Sequence, residues 1–398
     1  MLREVSSKVL KVMLVWLLIL FGFLVFRDML PEDISDFELF QDGFFVGAIL
    51  MGIAISIISI VILAVTKKTA PVSTARKNYA AVGMMLAAFG IFMVLLSVCY
   101  EPVMELLFGS GIASEEWYTW VENIIITDVI CLIVVMLMAT QGEKTPIEKH
   151  TMTFGQFICA IFMNAGIIGV GAILGAIIEL ALSYNFGIVG GGQTVSNMML
   201  DSNAFWRILT VGIGAPIVEE LIFRKFLIDR VHKYGEGIAI FVSGFLFGLF
   251  HGNFSQFFFA TGVGLFFAFI YVRTGKIWYS IFLHMVVNLS TSVISITLLE
   301  GLDMEKIDAF LAMDLASEEA TIMAMELLPG MLLFLGWILF LVVSAIVGWV
   351  LWIVNRKKLF LKNSEEYVEK KKFRMAFGNF GMLVFLVLCM IRFISFYV

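Results

Sequence analysis

The sequence predicts an all-α protein, a polytopic bundle of transmembrane helices with about 11 spans. Of its 398 residues, 61% are hydrophobic and only 15% are charged, whereas about 25% charged residues is usual for a soluble domain. Apolar runs of about 20 residues, the length that crosses a bilayer as a helix, recur from one end of the chain to the other. We therefore expect a multi-pass integral protein of the cell membrane, with the lipid bilayer as a partner.

The candidate spans are separated by loops of alternating chemistry. Loops rich in Lys and Arg alternate with loops that are acidic or lack basic residues, and basic loops face the cytoplasm. This alternation predicts the N-terminus inside the cell and the C-terminus outside. The longest connections are an acidic loop at 300–328 and a basic loop at 355–377. The spans lie near 9–26, 43–66, 79–99, 121–139, 154–182, 205–228, 237–251, 255–272, 277–299, 330–354 and 378–397.

The pattern of spans divides the chain into three regions. Residues 1–153 hold four spans to which the sequence assigns no role, and residues 301–398 hold two more. Between them, residues 154–300 hold five spans, and charged and polar residues interrupt the apolar pattern within 205–290. We therefore expect the functional core of the protein within 154–300.

The stretch "PIVEELIFRKFLIDR" at 216–230 places two acids and a base inside an apolar run. A charged side chain at bilayer depth costs roughly 2.5–3.5 kcal/mol on insertion scales. Glu220 and Arg224 are four residues apart, so they share a helical face and can form an ion pair. Glu219 is turned about 100° away, and the residue four positions later is Phe223. Glu219 must find a partner on another helix, line a water-filled cavity or bind a proton, which are the conditions of a proton-transferring group.

Two of the four histidines lie within apolar spans. His251 ends a segment in which Gly244 and Gly248 precede it by seven and three residues on the same helical face, so another backbone can approach closely there. His284 has Asn288 four residues later on its face. Two intramembrane histidines beside an unpaired glutamate and an aligned amide indicate a chemical function rather than helix packing alone.

These residues form three motifs, in order, on three of the apolar segments. They are Glu219 and Glu220 followed by Arg224, Phe247 followed by His251, and His284 followed by Asn288. In this arrangement the segment 205–290 resembles the CPBP intramembrane proteases, a family that includes the prenyl-protein endopeptidases that trim CaaX termini and the bacterial Abi proteins. Lys225 stands where these proteins often have a glycine.

The resemblance implies an endopeptidase that acts on a membrane-associated or lipidated peptide or protein, in CaaX-type or precursor and bacteriocin-type processing. It implies that Glu219, with His251, activates a water molecule, and that His284 and Asn288 stabilise the oxyanion. Glu220 and Arg224 would hold this site together as a structural ion pair, and Phe247 is a supporting residue of the motif that contains His251.

Other functions compete with this interpretation. Glu219, His251 and His284 form a His₂Glu set that zinc accepts, so a zinc metalloprotease is an alternative, although the chain lacks an HExxH motif. We expect no cofactor and keep zinc as the alternative. A proton-relay transporter is disfavoured because no corresponding interrupted segments occur in two halves. A non-catalytic membrane scaffold or immunity protein would not need an unpaired Glu219. No basic block with aromatic residues indicates nucleic acid, and the oligomeric state does not follow from the sequence.

Overall fold

All regular structure in the described part of the chain is helical, which confirms the predicted all-α class. The computed structural model describes residues 74–108, 116–122, 124, 129–140, 142–186, 191–200, 202–314, 317–361 and 372–397. The predicted spans near 9–26 and 43–66 lie outside these residues, as does part of the span near 121–139.

Thirteen helices form within the described residues. They are α1 (Thr74–Phe108), α2 (Glu116–Glu122), α3 (Cys131–Met138), α4 (Phe154–Phe186), α5 (Gly191–Leu200), α6 (204–231), α7 (Glu236–Phe250), α8 (Phe254–Thr274), α9 (Ile277–Glu300), α10 (Met304–Leu311), α11 (Glu318–Asn355), α12 (Lys372–Phe377) and α13 (Phe380–Ser395). Among them, α1, α4, α8, α9 and α11 are long and apolar enough to cross a membrane, and α7 and α13 are shorter apolar helices. The total of about 11 spans and the sidedness of the termini stay predictions.

The region 300–328 is more helical than the predicted loop, because it contains α10 and the start of α11. Local capping explains this difference. The side chain of Asp303 accepts a hydrogen bond from the backbone N–H of Lys306 at 3.0 Å, and the hydroxyl of Ser317 accepts one from the N–H of Ala320 at 3.1 Å. Both bonds satisfy N–H groups that a helix start otherwise leaves free.

The contacts group the described residues into two compact units. The first contains the described residues up to 143 together with 372–388. In it α1 packs against α3 and α12, and an apolar cluster is formed by Ala87, Ile91, Leu95, Val384 and Leu388. The predicted division at 153 and 300 stays a prediction about the organisation of the chain.

The second unit contains the described residues of 144–361 together with 389–397. In it α8 packs between α4 and α7, and α4 also packs against α11. Glycines permit this closeness: a Cβ at Gly175 would lie 2.7 Å from the carbonyl oxygen of Phe254. The core between α4, α8 and α9 is formed by Ala160, Met163, Val263, Phe266, Phe267, Ile270, Tyr279, Leu283 and Val287.

Helix α6 alternates between α-helical and π-helical turns. Its π segments are Ile208–Gly214 and Leu221–Phe226. The first lies just before Pro216, whose ring clashes with a preceding carbonyl and which has no N–H to donate. In this π segment the N–H of Ala215 bonds to the carbonyl of Thr210, five residues earlier. The same spacing would pair the carbonyl of Val211 with Pro216, so this carbonyl needs a donor from elsewhere.

Candidate active site

Glu220 and Arg224 form the predicted ion pair on α6. Oε2 of Glu220 lies 3.2 Å from Nε of Arg224, and both side chains are 0% exposed. A buried pair of this kind neutralises two charges that would each be costly alone. Nη2 of Arg224 also donates to the carbonyl of Gly264 on α8 at 3.4 Å, so the pair joins two helices.

Phe247 packs between the ion pair and the histidines. The guanidinium of Arg224 lies over the Phe247 ring, 4.3 Å from its centroid. The same ring lies edge-on to His251, with centroids 4.9 Å apart, and to His284, at 5.6 Å. The cation–π contact offers favourable electrostatics to a buried guanidinium whose Nη1 has no hydrogen-bond partner among the described residues. Phe247 is therefore a central packing residue of the site.

His284 lies between the two adjacent glutamates. Its Nδ1 is 3.2 Å from Oε1 of Glu220, and its Nε2 is 3.8 Å from Oε2 of Glu219. Helix α9 therefore contacts α6 at both acids of the motif. Because Glu220 accepts from Nδ1, this hydrogen bond orients the imidazole and fixes which nitrogen faces Glu219.

The two glutamates have different surroundings, as their helical positions predict. The carboxylate of Glu220 is enclosed by Arg224 and His284, whereas the side chain of Glu219 is 15% exposed. Within the described part of the chain, Glu219 accepts no hydrogen bond, and the nearest charge-bearing nitrogen is Nε2 of His284 at 3.8 Å. Glu219 is thus the carboxylate of this pair that has oxygens available to a bound molecule.

His251 lies at the end of α7, in the turn that leads into α8. Its Nδ1 lies 2.8 Å from the carbonyl oxygen of Phe247. A carbonyl only accepts, so Nδ1 carries the hydrogen and Nε2 of the neutral ring has a free lone pair. The predicted close approach occurs here as well, because Gly244 packs against the backbone of Leu265 and Gly248 against Thr261. No ion pair or hydrogen bond joins His251 to a glutamate within the described residues.

Asn288 has a partner that its spacing from His284 did not predict. Its Nδ2 donates to the carbonyl of Val211 at 2.8 Å. Pro216 has no N–H to donate to this carbonyl in the π segment of α6. One of the two amide hydrogens of Asn288 is therefore engaged in joining α9 to α6, and one remains for another acceptor. The lone Pro216 in the motif segment is the sequence signal for this contact.

Arg392, a residue that the sequence patterns did not single out, also lies at this site. Its guanidinium lies over the ring of Phe250, 5.1 Å from the centroid. It interacts electrostatically with Glu219 and His251. Arg392 belongs to α13, far along the chain, and its neighbours in sequence carry no motif. Only the packing of the chain brings it to the site.

The site residues match the needs of zinc in one respect and not in another. Zinc-bound histidines usually donate their other ring N–H to a carboxylate or a backbone carbonyl, as Nδ1 of His284 and of His251 do here. Within the described residues, however, no three His, Cys, Asp or Glu side chains are grouped closely enough to hold a metal ion. The orientation of the rings fits a zinc site, but the spacing of the donors does not.

Comparison with known proteins agrees with the motifs. Residues 201–290 match the family model described as "Type II CAAX prenyl endopeptidase Rce1-like". The chain is also 29% identical, over 174 residues, to the protein named "Putative membrane peptidase YdiL" of Bacillus subtilis (strain 168), an alignment that covers 41% of this chain and 67% of that protein. No solved structure matches the chain.

The matched segment contains all three motifs. It spans α6 to the middle of α9, the helices that bring Glu219, Glu220, Phe247 and His284 together. The apolar helices and both matches support an integral membrane protease. Both matches therefore support the resemblance of the segment 201–290 to the CPBP family of intramembrane endopeptidases.

Proposed function

We propose that this protein hydrolyses a peptide bond of a membrane-associated or lipidated substrate with a water molecule activated by Glu219. The observation that carries the proposal is the division between the two adjacent glutamates. Glu220 is fully buried between Arg224 and His284, whereas Glu219 is partly exposed and accepts no hydrogen bond among the described residues. A non-catalytic scaffold would not require a carboxylate without a hydrogen-bond donor at a site enclosed by apolar helices.

In the proposed reaction Glu219 takes a proton from water, and the resulting hydroxide attacks the carbonyl carbon of the scissile bond. His251 assists by accepting a hydrogen bond from the water at Nε2. The free amide hydrogen of Asn288 donates to the oxyanion of the tetrahedral intermediate, and so does Nε2 of His284 when both ring nitrogens carry a hydrogen. The C–N bond then breaks, and the proton held by Glu219 passes to the leaving amine. General-base catalysis contributes about 10²–10⁴-fold to such reactions.

A peptide library tests this function directly. The purified protein is reconstituted into proteoliposomes with membrane-anchored peptides of varied sequence and with or without a lipid modification, and products are identified by mass spectrometry. We expect pairs of complementary fragments that share one cleavage position. A substrate that crosses the vesicle membrane without being cut would instead support the transport alternative. Binding of peptides without cleavage or transport would support the scaffold alternative.

The role of metal is tested separately, because the zinc alternative uses the same residues. We expect protein purified without added metal to contain no stoichiometric zinc by elemental analysis and to keep its activity after prolonged dialysis against a chelator. The matched control is a zinc-dependent protease dialysed in the same way. Loss of activity that about one equivalent of zinc restores would establish the His₂Glu metalloprotease instead.

Substitution of Asn288 by alanine tests the proposed oxyanion contact. We expect turnover to fall by roughly 10²–10³-fold, the usual effect of removing one oxyanion donor. The same change removes the donor to the carbonyl of Val211, so the thermal unfolding of the variant is measured alongside its kinetics. Pro216→Ala is the comparison variant. It restores at position 216 the backbone N–H that the π spacing pairs with the carbonyl of Val211, the acceptor of the Asn288 amide. An unchanged turnover with a raised KM in Asn288→Ala would assign this residue to substrate binding.

A further inference from the structure

Arg392 reaches the site from the last helix, outside the segment that carries the family motifs. Its stem packs on the turn after His251, where Gly252 has φ +76° and a Cβ would lie 2.6 Å from Cγ of Arg392. Its guanidinium lies over the ring of Phe250. The absence of a side chain at Gly252 therefore permits both the left-handed backbone conformation and the close approach of this arginine.

The end of the chain holds Arg392 in this position through several contacts. The hydroxyl of Tyr397 accepts from the N–H of Phe254 at 2.7 Å and donates to Oε1 of Glu179 at 3.0 Å. The ring of Phe393 packs on Phe254, with centroids 5.3 Å apart. Since these contacts fix the residues that follow the arginine to the start of α8, they hold its side chain against the turn at Gly252.

Among the described residues, no close carboxylate neutralises the charge of Arg392. Its electrostatic partners include Glu219, yet in the described part of the chain no carboxylate oxygen lies within 4.0 Å of its nitrogens, and its side chain donates no hydrogen bond. The side chain is half-buried rather than solvated. A guanidinium presents donors in a fork that matches a carboxylate. Within the described residues these donors have no acceptor, and Glu219 lies within the range of their electrostatic interaction.

We propose that Arg392 is a specificity-determining residue that binds a carboxylate of the peptide substrate near the scissile bond. The proposal rests on the proposed peptidase function. A substrate carboxylate that approaches Glu219 is repelled by it unless a cation lies between or beside them. Arg392 supplies this cation from a helix outside the matched segment 201–290. The carboxylate can be the C-terminus of the substrate or the side chain of an Asp or Glu residue near the bond.

Three membrane-anchored peptides of one sequence distinguish these sources. The first ends in a free carboxylate, the second in an amide, and the third in an amide with one interior Asn replaced by Asp. We expect wild-type kcat/KM to be about 10–100-fold higher for one of the two carboxylate peptides than for the neutral peptide, mainly through KM, the range of a charge-assisted hydrogen bond. The peptide that shows the preference identifies the source of the carboxylate.

Arg392→Gln should abolish this preference, so that its kcat/KM for the carboxylate peptide falls to its kcat/KM for the neutral peptide. Arg392→Lys should restore part of it, because a lysine keeps the charge but not the fork. Arg356→Gln is the matched control, since this arginine is exposed at the end of α11. Equal losses for all three peptides in Arg392→Gln, or no preference in the wild type, would overturn the proposal.

A binding measurement separates this proposal from the proposed peptidase function. Glu219→Gln protein, which should not cleave, is titrated with the three peptides carrying a fluorophore, with and without Arg392→Gln. Tighter binding of a carboxylate peptide that depends on Arg392 supports the proposal even if no peptide is cut. Equal binding of all three peptides would contradict it, whether or not the wild type is a protease.

Discussion

Replacing Glu219 with glutamine is expected to abolish peptide cleavage while the protein expresses and folds near the wild-type level. Glutamine keeps the shape of the side chain but cannot accept a proton from water. The loss should be at least about 10²–10⁴-fold, the contribution of a general base. Stability should change little because the carboxylate of Glu219 accepts no hydrogen bond among the described residues, and its contact with His284 is 3.8 Å long. The measurement is the initial rate of fragment formation together with thermal unfolding.

The adjacent residue provides the control for this result. Glu220→Gln alters a carboxylate that is fully buried against Arg224 and His284, so we expect a loss of folded protein as well as of activity. A loss of folded protein in Glu220→Gln but not in Glu219→Gln would separate the structural glutamate from the catalytic one. Wild-type rates in Glu219→Gln would eliminate Glu219 as the base.

Arg224→Ala is expected to destabilise the folded protein by about 3–5 kcal/mol, because it leaves the buried charge of Glu220 without its partner. It also removes the contact with the ring of Phe247. Lys225→Ala is the matched control on the same helix. Nζ of Lys225 lies 2.9 Å from Asp229 at the same spacing of four residues, but the lysine side chain is 43% exposed. Asp229 is only 8% exposed, but without the lysine it keeps its hydrogen bond from the Tyr271 hydroxyl, so we expect a smaller loss of stability than for Arg224→Ala.

A paired variant distinguishes stability from catalysis at this position. Glu220→Leu combined with Arg224→Met removes both charges, and replacing a whole buried pair by apolar residues is often neutral or stabilising. We expect unfolding temperatures in detergent to recover toward the wild type while activity stays absent, since Glu220 also orients His284. A stable but inactive Arg224→Ala protein would instead assign Arg224 to the catalytic group.

The local features of the fold and site follow from the sequence because they depend on spacing along one helix. The apolar runs predict the extents of α4, α7, α8 and α9 within a few residues. The separation of Glu219 from Glu220 follows from 100° of rotation per residue. The ion pair follows from the spacing of four residues and is confirmed at 3.2 Å.

The remaining features depend on contacts between helices, which spacing does not specify. The pairing of Asn288 with Val211 arises because Pro216 opens a π turn in α6 and leaves a carbonyl that α9 can reach. Arg392 approaches the site only because the chain packs its last turn on the start of α8. Neither contact has a periodic signal in the sequence. The helices within 300–328 were not predicted because the composition of this segment is typical of a loop. Their starts are stabilised by local caps at Asp303 and Ser317.

Hydrolysis in heavy-oxygen water tests the central claim most directly. Chelator-treated wild-type protein and its Glu219→Gln variant are incubated in heavy-oxygen water with a membrane-anchored peptide that the wild type cuts. The masses of the fragments are measured by mass spectrometry. We predict that the wild type produces two fragments and that the new carboxyl terminus carries one heavy oxygen from water. The Glu219→Gln protein should produce neither fragment. Labelled fragments formed at equal rates by both proteins, or by neither until zinc is added, would contradict a water molecule activated by Glu219 without metal.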